Sequence, residues 1–320
     1  MNIGIKILFG KFGNSIIMSV QEKKTILLTG GAGFLGSGIL KLLLKKDFKV
    51  IILLRKNSDI HRIKHLLKHN NLEQVNFDKD GGVGKYFKEH KIDCIVHTAT
   101  CYGRKNENKS EILRTNFTLP ISLLNNGIKY GASCFINADT FFTANMDLAK
   151  GEKYYAKTKS DFVNLAIKKT KFSGIKFVNM KIRQMYGPDD SFCKFMPFVI
   201  KNLLFNNDIP LSLGRQKKDF VFVGDVAGAF MAAISHYSFL KKNEQFDIGI
   251  GKAYSIRYII FKLKKIINSK SVLKWGSLPY RKNEDMISRA KIIKNKKINW
   301  RAKCVLNQGL IKTVNFYKRH

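Results

Sequence analysis

Tyr155-Ala156-Lys157-Thr158-Lys159 sets a phenol and an ammonium four positions apart, a spacing that brings both to one face of a helix. A phenol with an ordinary pKa of about 10 exchanges protons poorly near neutrality. A nearby cation favours the phenolate and moves Tyr155 toward a working range for proton transfer. Tyr154 is followed four residues later by Thr158 and lacks this partner. A second cluster lies upstream, at Thr29-Gly30-Gly31-Ala32-Gly33-Phe34-Leu35-Gly36. It reads both as GxGxxG (Gly31, Gly33, Gly36) and as GxxGxxG (Gly30, Gly33, Gly36). Early glycines permit a tight turn, Gly33 lets the backbone approach a pyrophosphate, and Gly36 lets a helix pack on a sheet. The phosphate charge then rests on free N–H groups at the helix N-terminus. Gly30, Gly33, Phe34, Leu35 and Gly36 are therefore the expected dinucleotide contacts.

Both clusters need a scaffold of alternating strands and helices. Lys24 to Thr29 reads as a buried parallel strand, and Leu35 to Lys46 carries apolar Leu35, Ile39, Leu42 and Leu43 at helical spacing. Val50 to Leu54 is a second strand, completing strand, glycine turn, helix, strand. The pattern continues with strands at Cys94–His97, Cys134–Ile136 and Lys176–Met180 and helices at Ile112–Tyr130 and Tyr155–Lys171. Beyond Pro188 it loosens, then resumes at Asp219–Val223 and Gln245–Gly251, with a further helix at Ile256–Ile267. The fold class is α/β, a doubly wound parallel Rossmann sheet with a smaller C-terminal substrate lobe. Residues 24–182 with 219–251 form the dinucleotide-binding domain, and 183–218 with 252–320 the substrate-binding lobe. Residues 1–23 are expected to lie outside the fold, with a targeting or membrane-surface segment as the alternative; their apolar runs are too short to span a bilayer.

The second strand ends in Arg55-Lys56-Asn57-Ser58, where an enzyme using NAD usually places an acid against the ribose 2′-hydroxyl. A guanidinium instead pairs with a 2′-phosphate through forked, charge-assisted hydrogen bonds. Arg55 thus points to NADP(H), with NAD(H) the alternative. The chain has 58 Lys+Arg against 23 Asp+Glu, a net charge of +35. The lysines are spread along the chain and accompany no nucleic-acid-binding pattern, which argues for solvated faces that attract acidic substrates. The five cysteines form no CxxC pair, and the histidines no metal-spaced cluster, consistent with a reduced, cytoplasmic protein without a metal site.

Further matches accumulate in order: Asp93 with His97-Thr98-Ala99, Asn116, Arg183 with Tyr186-Gly187-Pro188, Lys218-Asp219-Phe220-Val221-Phe222-Val223 with Asp225, then Gly249 and Trp300. With the glycine turn and YxxxK, they resemble the extended short-chain dehydrogenase/reductase family, also called the NAD-dependent epimerase/dehydratase family, from about Lys24 to the C-terminus. Three stretches, Ala99–Gly103, Ile136–Phe142 and Phe177–Met180, are similar to sugar-nucleotide 4-ketoreductases of the CDP-abequose and CDP-paratose synthase type. The resemblance implies catalysis by Tyr155 and Lys159, Lys159 also holding the nicotinamide ribose, and cofactor contacts from Asp78, Thr98, Ala99 and Asn116. It implies a nucleotide-sugar substrate met by Tyr102, Lys218 and Arg281, and a homodimer; neither nucleic-acid binding nor membrane insertion is expected. The implied reaction is NADPH-dependent reduction of the 4-keto group of a CDP-4-dehydro-3,6-dideoxyglucose-like sugar for surface polysaccharide.

Two positions depart from the family pattern. Ala138 stands where the family has a carbonyl-binding Ser or Thr, which leaves Thr140 as the candidate hydroxyl. Lys218 replaces a common arginine and meets a diphosphate as a point charge, without the fork. Asp139 is followed by Thr140 instead of the glutamate of a 4,6-dehydratase, which disfavours that reaction. A 4-epimerase remains as an alternative, and a non-catalytic dinucleotide-binding protein with a basic nucleic-acid or membrane surface as one of another class.

Overall fold

The structure, a computed structural model, describes residues 4–9, 15–20, 23–76, 83–104, 107–142, 150–282 and 284–320. At the N-terminus β1 (Gly4–Phe9) and β2 (Ser15–Val20) pair antiparallel with each other and add no strand to the main sheet. The alternation read from the sequence then begins: β3 (Thr25–Thr29), α1 (Phe34–Lys45), β4 (Lys49–Leu54), β5 (Leu72–Asn76), α2 (Val83–Glu89) and β6 (Cys94–His97). Next come α3 (Lys109–Leu113), α4 (Leu119–Lys129), β7 (Cys134–Thr140), α5 (Lys150–Thr170) and β8 (Lys176–Ile182). The remaining chain forms β9 (Gln184–Tyr186), α6 (Phe195–Leu204), β10 (Ile209–Leu211), β11 (Lys217–Lys218), β12 (Phe220–Phe222), α7 (Val223–His236) and β13 (Asn243–Ile248). It ends with β14 (Tyr254–Ser255), α8 (Ile256–Ile267), β15 (Leu273–Trp275), β16 (Ile287–Ser288) and α9 (Leu306–Tyr317).

Seven strands form one parallel sheet in the order β13-β8-β7-β6-β3-β4-β5. Strand order reverses between β3 and β6, which opens a crevice outside the carboxyl ends of the strands at that point. Because both faces are covered, the strands read as apolar runs: Ile26, Leu28, Val50 and Ile52 pack with α1 and α7, and Leu27, Ile51, Ile95 and Phe135 pack on the other side with α4 and α5. A separate core of α6, α8 and α9 side chains holds the C-terminal lobe. The segment at Asp219–Val223, read as a return to the nucleotide domain, does not enter the main sheet. Its β12 pairs parallel with β9, while α7 packs beside α1.

The single helix expected over residues 112–130 is interrupted by a π turn at Arg114–Thr118. Pro120 lies in the first turn of α4 and has no N–H to bond the Asn116 carbonyl, so the backbone widens where that bond would fall. The edge strand β5 escaped sequence reading because two of its five residues, Glu73 and Gln74, are exposed and its burial is not alternating.

A row of polar side chains crosses the apolar sheet. Thr29, His97, Asn137, Asn179 and Gln245 are successive register partners on β3, β6, β7, β8 and β13. Thr29 Oγ1 meets His97 Nδ1 at 2.8 Å, Asn137 Nδ2 donates to Asn179 Oδ1 at 2.8 Å, and Asn179 Nδ2 donates to Gln245 Oε1 at 3.3 Å. Burial, with the Lys159 charge, holds His97 well below the usual imidazole range, so it stays neutral.

Candidate active site

At the crevice, β3 runs into the glycine turn. Gly30 has φ +70°, and a Cβ there would lie 2.6 Å from the Ala99 nitrogen; one on Gly36 would lie 2.0 Å from the Gly30 oxygen. Neither position tolerates a side chain, so the turn and the β6 end approach as closely as backbones can. Thr98 Oγ1 donates to the Thr29 carbonyl at 2.7 Å and the Ala99 N–H to Thr29 Oγ1 at 3.4 Å, which places both residues against the turn. Gly33 is the N-cap of α1 and supplies no side-chain cap, and the first turn holds no acid. Its N–H groups at Phe34 through Gly36 have no side-chain cap and line a cleft of about 1900 Å³, an arrangement suited to an anion.

Arg55 lines the same cleft from the end of β4, where its N–H donates to Ser58 Oγ at 2.9 Å. Asp78 lies outside the described residues. Asn116, read as a cofactor contact, is engaged by the protein itself. It is fully buried, accepts from the Cys101 N–H at 3.0 Å and donates to the Cys101 carbonyl at 2.8 Å. Its amide holds the loop after β6, and the π turn aims it there.

The long helix α5 carries the candidate pair Tyr155 and Lys159, and both side chains are buried. Lys159 Nζ donates to the Ala138 carbonyl at 2.7 Å. Burial draws its pKa down to about 8, opposed by the Asp139 charge. The Tyr155 phenol is pushed well up by burial, then by neighbouring Tyr102, and the Thr140 hydroxyl acts against this. The expected depression of Tyr155 by an adjacent ammonium is therefore not the state of this pocket: burial dominates, and the phenol keeps its proton at neutral pH. Thr140 ends β7 inside the cleft beside Tyr155, whereas Ala138 offers only a methyl group and its carbonyl. Asp139, between them, is raised by burial against a hydrogen bond from Asn179, made at 2.8 Å.

The Tyr102 ring sits 5.1 Å from that of Tyr155 and faces the cleft. Lys218 and Arg281 also line it, but neither is an isolated cation. Lys218 hydrogen-bonds the Asp285 carbonyl and pairs with Glu284 Oε1 at 3.3 Å, so its charge is partly neutralised within the cleft. Arg281 Nη1 lies 3.8 Å from Glu152 Oε2. Sequence reading missed Glu152, which is buried and also accepts from Arg104 Nε at 2.6 Å. Its place three residues before Tyr155 on the same helix was the available signal. Lys194 was missed too: its ammonium lies 5.5 Å from the Tyr102 ring and 5.1 Å from the Phe34 ring, held by Asp190 at 2.9 Å.

Other matched residues have structural work. Arg183 forks onto Asp247 at 3.0 and 2.6 Å. The Asp219 carboxylate accepts from the N–H groups of Ile250, Gly251 and Ala290, and Trp300 Nε1 donates to the Asp225 carbonyl at 3.1 Å. These contacts lock the lobe to the nucleotide domain around the cleft. Among the described residues no cluster of three or more His, Cys, Asp or Glu could hold a metal, and no helix is long and apolar enough to cross a membrane.

Comparison with known proteins places this geometry. Residues 26–249 match the NAD dependent epimerase/dehydratase family. The chain is 28% identical to the CDP-abequose synthase of Salmonella muenchen over 92% of its own length and 99% of the relative's. It is 24% identical to the GDP-L-colitose synthase of Yersinia pseudotuberculosis, over 91% and 97%. Its fold superimposes on UDP-glucose 4-epimerase with UDP-glucose from Thermotoga maritima with a TM-score of 0.78 at 22% identity, covering 92% of this chain and 99% of that one. A UDP-N-acetylglucosamine 4-epimerase from Methanobrevibacter ruminantium gives 0.80 at 20% identity, covering 93% and 99%.

Proposed function

The chain belongs to the NAD dependent epimerase/dehydratase family, and we propose that within it the protein is an NADPH-dependent sugar-nucleotide 4-ketoreductase. The substrate read here is a CDP-4-dehydro-3,6-dideoxyglucose-like compound, used in building surface polysaccharide. The observation that carries this reading is the buried phenol of Tyr155, protonated at neutral pH and beside Thr140 in a cleft that also contains the glycine turn. A ketone oxygen that gains electron density needs a proton donor and a second hydroxyl donor, and these two side chains supply them.

The residues at the turn fit a dinucleotide, because uncapped N–H groups at Phe34 through Gly36 line the cleft and no side chain stands on Gly33 before them. When bound, NADPH supplies the hydride. Thr140 orients the carbonyl oxygen, and Tyr155 Oη delivers a proton to it. Lys159, whose ammonium bonds the Ala138 carbonyl, is read as the cation that stabilises the phenolate left behind and holds a ribose hydroxyl. Tyr102, Lys194 and Arg281 bound the side on which an anionic sugar nucleotide would lie. The similarity to a CDP-abequose synthase along nearly the whole chain supports the substrate class.

The test is stoichiometric. Purified protein with CDP-4-dehydro-3,6-dideoxyglucose is expected to oxidise one NADPH per sugar reduced. Sugar turnover without net NADPH oxidation would overturn the reductase reading, and interconversion of 4-hydroxy sugar nucleotides without added cofactor would mark a 4-epimerase instead. Cofactor choice is tested at Arg55: loss of a charge-assisted pair costs about 1.5–3 kcal/mol, so Arg55→Glu should raise the KM for NADPH about 10–100-fold and leave that for NADH nearly unchanged. Equal effects on both cofactors would remove Arg55 from 2′-phosphate recognition.

A further inference from the structure

The edge of the sheet opposite the cleft carries an unexplained surface. The loop from α5 to β8 and the loop from α7 to β13 lie side by side there, because β8 and β13 are neighbours. They are tied together: Lys176 Nζ donates to the Leu240 carbonyl at 2.8 Å, Lys242 Nζ to the Ser173 carbonyl, and the Phe177 N–H to the Lys242 carbonyl at 2.9 Å. From this braced pair project Phe172, 88% exposed, and Phe239, 84% exposed, the two most exposed large apolar side chains among the described residues. Two whole phenylalanine rings held out in water from adjacent loop tips forgo burial that the fold elsewhere exploits.

Their surroundings are uniformly basic. Lys168, Lys169, Lys171 and Lys241 are exposed around them, with the Lys171 ammonium 5.0 Å from the Phe172 ring. Exposed Lys24 sits 5.1 Å from the ring of Tyr237 in the second loop. Residues 167–176 and 236–243 contain no acid. The acids at this edge are engaged elsewhere: Asp47 with Lys23 at 2.7 Å, Glu244 with Lys297 at 2.6 Å, and Asp93 with the Thr25 N–H at 2.8 Å.

We infer that this edge docks the protein on an anionic lipid bilayer, Phe172 and Phe239 entering the headgroup layer while the surrounding lysines meet lipid phosphates. Charge complementarity selects an anionic partner, and the aromatic tips select one with an apolar layer beneath the charge. Lysine stems can lie along that layer with their ammonium groups in the phosphate plane. Protruding tips suit a bilayer better than a nucleic acid, whose bases stack in aromatic-lined grooves. Docked this way, the cleft at the other end of the strands faces away from the membrane and stays open to substrate.

The experiment is co-sedimentation of the full chain with vesicles of phosphatidylglycerol and phosphatidylethanolamine, against vesicles of phosphatidylcholine alone, at about 0.1 M salt. Binding is expected only to the anionic vesicles. The double variant Phe172→Ser/Phe239→Ser should bind them at least tenfold more weakly, with an unchanged thermal midpoint because both side chains are already in water. Lys168→Glu/Lys171→Glu should weaken binding by a similar factor. Failure of the wild-type chain to sediment overturns the inference. So does unchanged binding by the phenylalanine variant, which reduces the interaction to diffuse charge. Single-stranded RNA that binds the wild type, and binds the phenylalanine variant less, would assign the surface to nucleic acid instead.

Discussion

Lys159→Met is expected to stabilise the protein while nearly abolishing its activity. The ammonium is buried with one carbonyl, that of Ala138, as its hydrogen-bond partner, and its pKa falls from 10.5 to about 8. At about 1.4 kcal/mol per pKa unit, carrying the charge into this pocket costs on the order of 3 kcal/mol; the lost hydrogen bond brings the expected gain on removal to about 1–3 kcal/mol. The unfolded chain binds the proton more tightly than the folded one between about pH 8 and 10.5, so stability rises with pH across that window. The gain from methionine should therefore be full below pH 8 and shrink toward pH 10, as chemical denaturation at several pH values would reveal. Activity should fall about 10²–10⁴-fold, the usual worth of a group serving proton transfer. In the wild type, kcat/KM should decline above about pH 8 as Lys159 loses its charge. A variant that is less stable at pH 7 would show that the ammonium is well solvated in the fold.

Thr140→Val should lower kcat about 10²-fold, the scale of losing one donor to a developing oxyanion, and change KM little. Valine keeps the shape and removes the hydroxyl. The same substitution deletes the acceptor of the Phe142 N–H, bonded at 3.1 Å, so a stability loss of about 1 kcal/mol should accompany it. Thr140→Ser restores both functions and separates them from mere packing. A valine variant within twofold of wild-type kcat would leave Tyr155 as the sole group acting on the carbonyl, with no hydroxyl in place of the one that Ala138 lacks.

Much of the site was legible because its residues are constrained locally. Gly30 and Gly36 are fixed by backbone approach, and Tyr155 and Lys159 by helical spacing, so type and interval carried the message. Thr140 was readable as a candidate, but its place beside Tyr155 depends on how β7 ends. The bonds of Asn116 to Cys101 were not legible, because its place follows from the π turn before Pro120, which periodicity does not register. The same holds for Lys218 and Glu152: their partners Glu284 and Arg104 are 66 and 48 residues distant in the chain, and no local pattern records such pairings. The direction of the Tyr155 shift was missed for a related reason, since burial depends on the whole pocket and not on its nearest charge.

The polar row across the sheet has a consequence for assembly of the fold. Slide any one of β6, β7 or β8 by a single residue and its imidazole or amide faces aliphatic side chains on the neighbouring strand, each stranded group costing about 1–3 kcal/mol. Parallel strands of nearly interchangeable Ile, Leu and Val offer little else to distinguish one alignment from the next. Thr29, His97, Asn137, Asn179 and Gln245 thus act as an address line, and the alignment they select also fixes the ends of β3, β6 and β7 at the cleft, with Thr98 one residue and Thr140 three residues beyond the row.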